Sequence, residues 1–363
     1  MNILHLLATG GAAGIETLVK DFADLSKHNN IYVFFWAGGV VTEEMKKKGH
    51  NVIELNAGKK EIFGPLKRLE RIVENEKVDV IITHHASPVM WIIMNLLKKK
   101  YKKIKTIVYA HANLKDIYRE NIKRGLFIRK KILNWTYNNA NQVIAISESV
   151  KRSFLDQNYS DTEKIKVVYN GVNLEKFVPK SFDAHNPVRI AYVGRLVPQK
   201  GVNLLIDALA ELNSEIEFVC DIVGDGSERE NLEKLSLELS MESKITFHGV
   251  RRDIADFLVE EDIFVHPAIW EEGFGIALAE GMAAGLLCMG FKKGAIPEII
   301  DNEENGLLVN TSTADALAKQ LAYAIELVKT EKGREMRRKA IEKAKKFSIY
   351  NFVNSVDELC SEL

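Results

Sequence analysis

Asp262-Ile-Phe-Val-His-Pro-Ala-Ile-Trp-Glu-Glu-Gly-Phe-Gly-Ile-Ala-Leu-Ala-Glu-Gly-Met-Ala-Ala-Gly285 spells one complete strand, turn and helix. Asp262 to His266 reads as a short buried strand, and Gly273 and Gly275 allow a sharp turn. Ile276 to Ala284 is helix-forming, and Gly285 is placed to stop it. The free N–H groups at such a helix start attract phosphate. Glu272 stands just before the helix and Glu280 inside it, roughly 12 Å apart at a rise near 1.5 Å per residue. One carboxylate can then reach a sugar ring and the other a ribose, with a diphosphate between them.

The same strand-and-helix rhythm extends outward from this stretch. Strand-like runs fall at Asn2 to Leu7, Ile31 to Phe35, Val52 to Leu55, Val80 to Thr83, Thr106 to Ala110 and Gln142 to Ile146. It restarts at Arg189 to Val193, then Glu217 to Val223, Ile245 to Phe247, Ile263 to His266, Leu286 to Met289 and Gly306 to Val309. Helix-length amphipathic segments separate them, which is the βα pattern of a parallel sheet. Lys176 to Pro187, with two prolines among polar residues, reads as a linker between the two series. The expected fold is α/β, with two doubly wound Rossmann-like domains facing each other across a cleft. The expected domains are residues 1–172 and 173–348, with the last helix, 349–363, packing back on the first.

At 363 residues and 46% hydrophobic content the chain can bury a large core. The apolar run Val89 to Leu97 is far shorter than the roughly 20 residues of a membrane span. The N-terminus reads as a strand rather than a signal peptide, so a cytoplasmic location is expected. Cys220, Cys288 and Cys360 are widely spaced and offer neither a disulfide framework nor a zinc spacing. The net charge of zero hides an asymmetry: residues 1–172 hold 28 Lys/Arg against 17 Asp/Glu, and the remainder 22 against 33. Two domains with different partners would explain it.

Four further features carry chemistry. The first strand runs into Thr9-Gly-Gly-Ala-Ala-Gly14, a loop a phosphate could approach, though it lacks the Gly-x-Gly-x-x-Gly dinucleotide pattern. The restart strand runs into Gly194-Arg-Leu-Val-Pro-Gln-Lys-Gly201, which sets Arg195 and Lys200 on one loop at the carboxyl end of a strand, where such sheets bind ligands. Two cations there could neutralise a diphosphate. His111 follows the strand Thr106 to Ala110, and His84-His85 sits at the same edge. No carboxylate or cysteine completes a metal site around them, and no Asp-x-Asp or P-loop occurs. Finally, Lys98 to Lys105 and Arg119 to Lys131 concentrate positive charge, read either as solvated faces or as adsorption to an anionic membrane.

Taken together, the chain resembles the retaining, nucleotide-sugar-dependent glycosyltransferases of family 4, with the two-domain GT-B fold. The resemblance rests on Gly10-Gly11, His111, Ser147-Glu-Ser149, Asn170-Gly-Val172 with Phe177, Gly194-Arg-Leu196, Lys200-Gly201, Gly224-Asp-Gly226, His248-Gly-Val250, Glu272-Gly-Phe-Gly275 with Glu280, and Pro297-Glu-Ile-Ile300. Asn173 departs from the usual Asp, and Gly294-Ala295 from the usual Gly-Gly. By this resemblance the second domain binds the donor and the first the acceptor. Val250 would present backbone groups to the base and Glu280 would accept the ribose hydroxyls. Arg195 and Lys200 would hold the diphosphate with the N–H groups of Gly11 and of the helix start near Ile276. Glu272, with Gly273, Phe274 and Gly275, would grip the transferred sugar, and His111 would lie on its other side.

The implied partners are a nucleoside-diphosphate sugar, with UDP favoured, and a saccharide acceptor. The acceptor is read as lipid-linked, at an anionic inner-leaflet surface where surface polysaccharide, lipopolysaccharide or capsule is assembled. No metal, cofactor or nucleic acid is expected. A soluble small acceptor, a dinucleotide-dependent oxidoreductase and a non-catalytic sugar-nucleotide binder are the alternatives.

Overall fold

The βα rhythm is realised as two compact units, Met1–Gly171 with Ile349–Leu363, and Val172–Ser348. The computed structural model describes residues 1–11, 14–58, 61–84, 87–114, 126–156, 162–212 and 216–363. His85 and 119–125 of the basic run lie outside these residues, as do the side chains of Leu126, Phe127 and Arg129.

In the first unit the chain runs β1 (Asn2–Thr9), α1 (Gly14–Ala23), β2 (Asn29–Ala37), α2 (Val40–Lys47), β3 (Asn51–Glu54), α3 (Phe63–Asn75) and β4 (Val80–Thr83). It continues through α4 (Pro88–Lys100), β5 (Lys105–Ala110), α5 (Leu126–Asn139), β6 (Gln142–Ala145), α6 (Glu148–Leu155) and β7 (Ile165–Val167). The second unit runs β8 (Val188–Val193), α7 (Val202–Ala210), β9 (Phe218–Val223), α8 (Arg229–Glu238), β10 (Ile245–Gly249), α9 (Ile254–Leu258) and β11 (Ile263–His266). Next come α10 (Ile276–Ala283), β12 (Leu287–Phe291), α11 (Ile296–Ile299), β13 (Leu307–Val309), α12 (Ala314–Leu327) and α13 (Glu331–Ala344), and α14 (Ile349–Ser361) ends the chain in the first unit.

The strand orders are β3-β2-β1-β4-β5-β6-β7 and β10-β9-β8-β11-β12-β13. Every pairing between named strands is parallel. Parallel neighbours need a crossover, and right-handed crossovers put helices on opposite faces once the strand order reverses. That reversal falls between β1 and β4 in one sheet and between β8 and β11 in the other, and it opens a crevice at the carboxyl ends of those strands. The central strands are buried throughout: Ile263, Phe264 and Val265 of β11 are 0% exposed. This is why they read as unbroken apolar runs.

The structure departs from the sequence reading in two places. Residues 165–167 form a seventh strand in the first sheet; its three residues, with Lys166 exposed, carry too little pattern to announce it. The stretch Lys176–Pro187 is no free linker. Arg337, 2% exposed, donates to the carbonyls of Gly285, Phe182 and Ser181, while Asp262 accepts from His185 and from the Arg189 N–H. The chain crosses between units earlier, at Gly171–Val172, where the Val172 N–H donates to the Phe347 carbonyl at 2.7 Å. A side chain on Gly171 would press on Ile349 and Phe352 of α14. The closing segment 349–363 carries Asp357, Glu358 and Glu362 and no Lys or Arg, so it lowers the first unit's net charge from +11 to +8.

Glu261, at the foot of β11, is 4% exposed, and its Oε2 has no hydrogen-bond partner among the described residues. Burial, reinforced by Asp221, pushes its pKa up from 4.5 to about 8. The folded chain therefore keeps a proton that the unfolded chain releases. The associated stability is complete below the unfolded value and is lost as pH rises through the folded one. Glu261→Gln should be more stable than the unaltered chain at pH 8, by a few kcal/mol at about 1.4 kcal/mol per pKa unit, with the gap closing toward pH 4. Urea unfolding across this range tests it, and a gap that does not change with pH would refute the assignment.

Candidate active site

At the reversal in the second sheet, the loops after β8, β11 and β12 are fastened to one another through the backbone. Pro198–Lys200 forms a short 3-10 turn ended by Gly201 at φ 63°. A Cβ on Gly201 would overlap the Pro267 carbonyl oxygen, and the Ile269 N–H donates to the Gln199 carbonyl at 3.1 Å. Only glycine allows so close an approach at that φ. On the other side, Ala295 N–H donates to the Glu272 carbonyl at 2.8 Å and Gly294 N–H to Glu271 Oε2 at 2.9 Å. Gly294 has φ 54°, and its α-carbon lies against the Glu272 backbone. Gly294-Ala295 thus does the work of a Gly-Gly pair at its first position, while Ala295 is fully buried.

This double clamp aims the Glu272 carboxylate at Lys200. Lys200 Nζ lies 2.5 Å from Glu272 Oε2, and His266 Nε2 lies 3.2 Å from the same oxygen, both side chains of the ion pair being 20% exposed. Burial alone would raise the Glu272 pKa, but the Lys200 ammonium and the His266 hydrogen bond outweigh it and hold the carboxyl well below the usual range. Glu272 is therefore a pure acceptor over the whole physiological range. His266 donates from Nε2, leaving Nδ1 bare and buried. Phe274, 1% exposed, packs edge-on against Phe347 at 5.2 Å and anchors the turn from below.

Gly275, at φ 101°, is the N-cap of α10, and its carbonyl accepts from Leu278 and Ala279. The N–H groups of Ile276 and Ala277 fall in the first turn, which a helix leaves without internal acceptors. Glu280 sits half-buried inside α10. Arg195 is exposed on the loop after β8, whose backbone is held by the Tyr192 hydroxyl donating to the Arg195 carbonyl at 3.0 Å. The Gly224-Asp-Gly226 turn packs directly on this loop: a Cβ on Gly224, at φ 136°, would overlap the Gly194 carbonyl. Val250 follows β10 and is 74% exposed, while His248 beside it pairs with Asp221 at 2.5 Å.

The structure thus joins Lys200, Glu272, Gly273, Phe274, Gly275 and Ile276 in one clamped assembly, with Arg195 on an adjoining loop and Val250 at the far edge of the sheet. His266, Glu271 and Lys293, whose Nζ donates to the Ile269 carbonyl at 2.8 Å, were missed. A histidine ending a strand just before the glycine turn was the available signal for the first.

In the first unit, at its own reversal point, the Gly10 N–H donates to the Ala37 carbonyl and the Gly10 carbonyl accepts from Val41. Gly11 is exposed, and nothing described lies within 4 Å of a Cβ built on it, so packing does not require its glycine. His111 is half-buried and stacks on Tyr109 at 5.0 Å. Of the other motifs, Ser147 caps α6, its hydroxyl accepting from the Val150 N–H at 3.1 Å.

The fold and this assembly have counterparts. A model described as Glycosyltransferase Family 4 matches residues 12–176, and one described as Glycosyl transferases group 1 matches residues 175–347. The chain carries both halves of a GT-B glycosyltransferase. An uncharacterized glycosyltransferase of Methanocaldococcus jannaschii is 29% identical over 341 residues, which cover 92% of this chain and 88% of that one. The UDP-Gal:alpha-D-GlcNAc-diphosphoundecaprenol alpha-1,3-galactosyltransferase of Escherichia coli is 25% identical over 269 residues, 70% of this chain and 68% of its own. Among solved structures, Anabaena HepE in complex with UDP-glucose superposes with a TM-score of 0.85 at 21% identity, covering 100% of both chains.

Because Gly201 is both left-handed and pressed on Pro267, Gly201→Ala in this transferase should lose more than about 1 kcal/mol of stability. Thermal unfolding should show a clear fall in Tm; an unchanged Tm would mean the Lys200 loop is not clamped as described.

Proposed function

We propose that the chain transfers a sugar, with retention of anomeric configuration, from a UDP-sugar to a lipid-linked saccharide in the building of a surface polysaccharide. The observation that carries the donor half is the Lys200–Glu272 pair fixed beside the N-terminus of α10. A sugar diphosphate brings its own negative charge and its own hydroxyls. Lys200, Arg195 and the Ile276 and Ala277 N–H groups supply the positive end; the anionic Glu272 accepts from sugar hydroxyls, and Glu280 from the ribose. Departure of the diphosphate is the demanding step, and two cations with a helix terminus neutralise it in place of a divalent metal. On this reading the first unit takes the acceptor, with Gly11 and His111 beside its own strand-order reversal. HepE is seen with UDP-glucose, and the Escherichia coli relative acts on a diphosphoundecaprenol-linked sugar; both support this reading.

Thermal unfolding in chelator with UDP, GDP, ADP and CMP tests the donor. UDP should raise Tm, ligand at about 100 times its Kd adding roughly 2.7 kcal/mol. Lys200→Ala should keep the fold and lower turnover about a hundredfold, the scale of a lost oxyanion donor. A shift with none of the nucleotides would sink the donor assignment.

The membrane half rests on α5 and the end of α4. No described helix is long and apolar enough to cross a membrane. On α5, Ile128 is 63% exposed and Trp135 45%, seven residues apart and so on one helix face, with Lys131 exposed between them. An exposed aromatic and aliphatic stripe among lysines suits an anionic lipid surface. The lysine run at α4 is less uniform than its composition implies: Lys98 turns inward to the Asn139 carbonyl and Ile104 is in the core, leaving Lys99, Lys100, Lys102 and Lys103 outside. In liposome flotation the chain should rise with vesicles containing anionic lipid, and Trp135→Ala should weaken recovery. Equal recovery with neutral vesicles would favour a soluble acceptor.

A further inference from the structure

From α14 to His84 runs a polar chain with a single direction, buried at its ends and part-buried between them. It starts at Asp357 of α14, 2% exposed, whose Oδ1 accepts from the Ser26 hydroxyl at 2.8 Å and whose Oδ2 accepts from the Lys27 N–H at 3.0 Å. The Ser26 oxygen accepts from the Asn30 amide nitrogen at 2.9 Å, and the same nitrogen donates to the His28 carbonyl at 3.0 Å. Both donations fix the amide orientation, so Asn30 Oδ1 is the atom facing His5 Nε2 at 3.0 Å. An amide oxygen only accepts, and His5 must therefore carry its proton on Nε2. His5 is 1% exposed, and burial drives its pKa down from 6.5 to about 4, which leaves Nδ1 bare. His84 Nε2, 3.0 Å away, has to be the donor to it.

The ring planes carry the alignment onward. His5 and His84 are 5.3 Å apart at 15°, His84 and Tyr109 5.0 Å at 17°, and Tyr109 and His111 5.0 Å at 15°. These rings stand on or just after β1, β4 and β5, neighbours in the sheet. Apolar aromatics would fill the same space without the desolvation cost of the buried His5–His84 hydrogen bond and the part-buried ones behind it. What the polar chain adds is one tautomer and one plane for His84.

We propose that His84, oriented by the Asp357–Ser26–Asn30–His5 chain, is a positioning residue that sets the plane of His111 through Tyr109. The C-terminal helix thereby takes part in the reaction without touching substrate. The positioning role rests on the transferase reading of His111, while the tautomer of His84 does not.

Two measurements on the full chain separate them. In 15N-histidine spectra near neutral pH, His5 and His84 should both appear as Nε2–H tautomers, and an Nδ1–H tautomer for His84 overturns the proposal. For function, hydrolysis of UDP-glucose and UDP-galactose is followed in three variants. His5→Phe keeps a ring in the stack but breaks both hydrogen bonds; kcat should fall about tenfold, with KM for the sugar nucleotide unchanged. His5→Gln, which can both donate to Asn30 and accept from His84, should restore most of it. Full kcat in His5→Phe while His111→Ala is impaired overturns the proposal and leaves the transferase reading standing. An unimpaired His111→Ala removes His111 from the reaction and the positioning role with it. Should the unaltered chain hydrolyse neither sugar nucleotide, that counts against the donor reading, and the tautomer alone decides whether the chain orients His84.

Discussion

The ion pair between Lys200 and Glu272 is the constraint on which the second unit's candidate site depends. A half-buried carboxylate without its cation would be costly, and a pair this close returns little net stability after desolvation. It is held because three loops are stitched around it: Gly201 against Pro267, Gly294 against Glu272, Phe274 against Phe347. The stitching depends in turn on strand order. Strands β8, β11 and β12 are adjacent, so loops distant in sequence leave the sheet side by side. Remove the reversal between β8 and β11 and Lys200 and Glu272, 72 residues apart in the chain, have no reason to meet.

That pairing also shapes how a sugar diphosphate can be held. Glu272 stays anionic because Lys200 and His266 face it, so toward a sugar hydroxyl it acts only as acceptor. Lys200 is paired with that carboxylate and, on the proposed reading, would share its charge with an incoming phosphate. Arg195, exposed on the neighbouring loop, is the cation with charge to commit. On the proposed reading, Lys200 would link the sugar and phosphate sites electrostatically, and Arg195 together with the α10 terminus would supply neutralisation.

Most of the fold was legible because parallel strands buried on both faces write themselves as apolar runs, and the restart at Arg189 marked a second sheet. The Ile276 helix and its glycine stop were equally plain. What the sequence could not show is contact across the sheet. Residues 165–167 form a strand only because β6 offers an edge, and Lys176–Pro187 looks like a tether until Arg337, more than 150 positions later, fastens it. Within the site the residue types were readable, but the clamp was not. The roles of Gly201 and Gly294 lie in backbone approach, and His266 reads as one more strand residue until its ring is found on Glu272.

Charge poses the sharper problem. Once residues 349–363 are counted with the first unit, the second carries 22 Lys/Arg against 30 Asp/Glu, a net of −8, yet it is the unit with the candidate diphosphate site. Net charge acts at long range, and at physiological ionic strength it is screened beyond about 8 Å. Much of the acid is also spent locally: Glu260 on Lys180, Glu331 on Arg334 and Arg338, Asp301 on Lys343. Over the few ångströms that matter to a phosphate, the first charges met are Arg195, Lys200 and the N–H groups of α10. An acidic unit can therefore present an anion site through its nearest charges, whatever its net charge. The first unit, at +8, has the opposite field, suited to an anionic acceptor or surface.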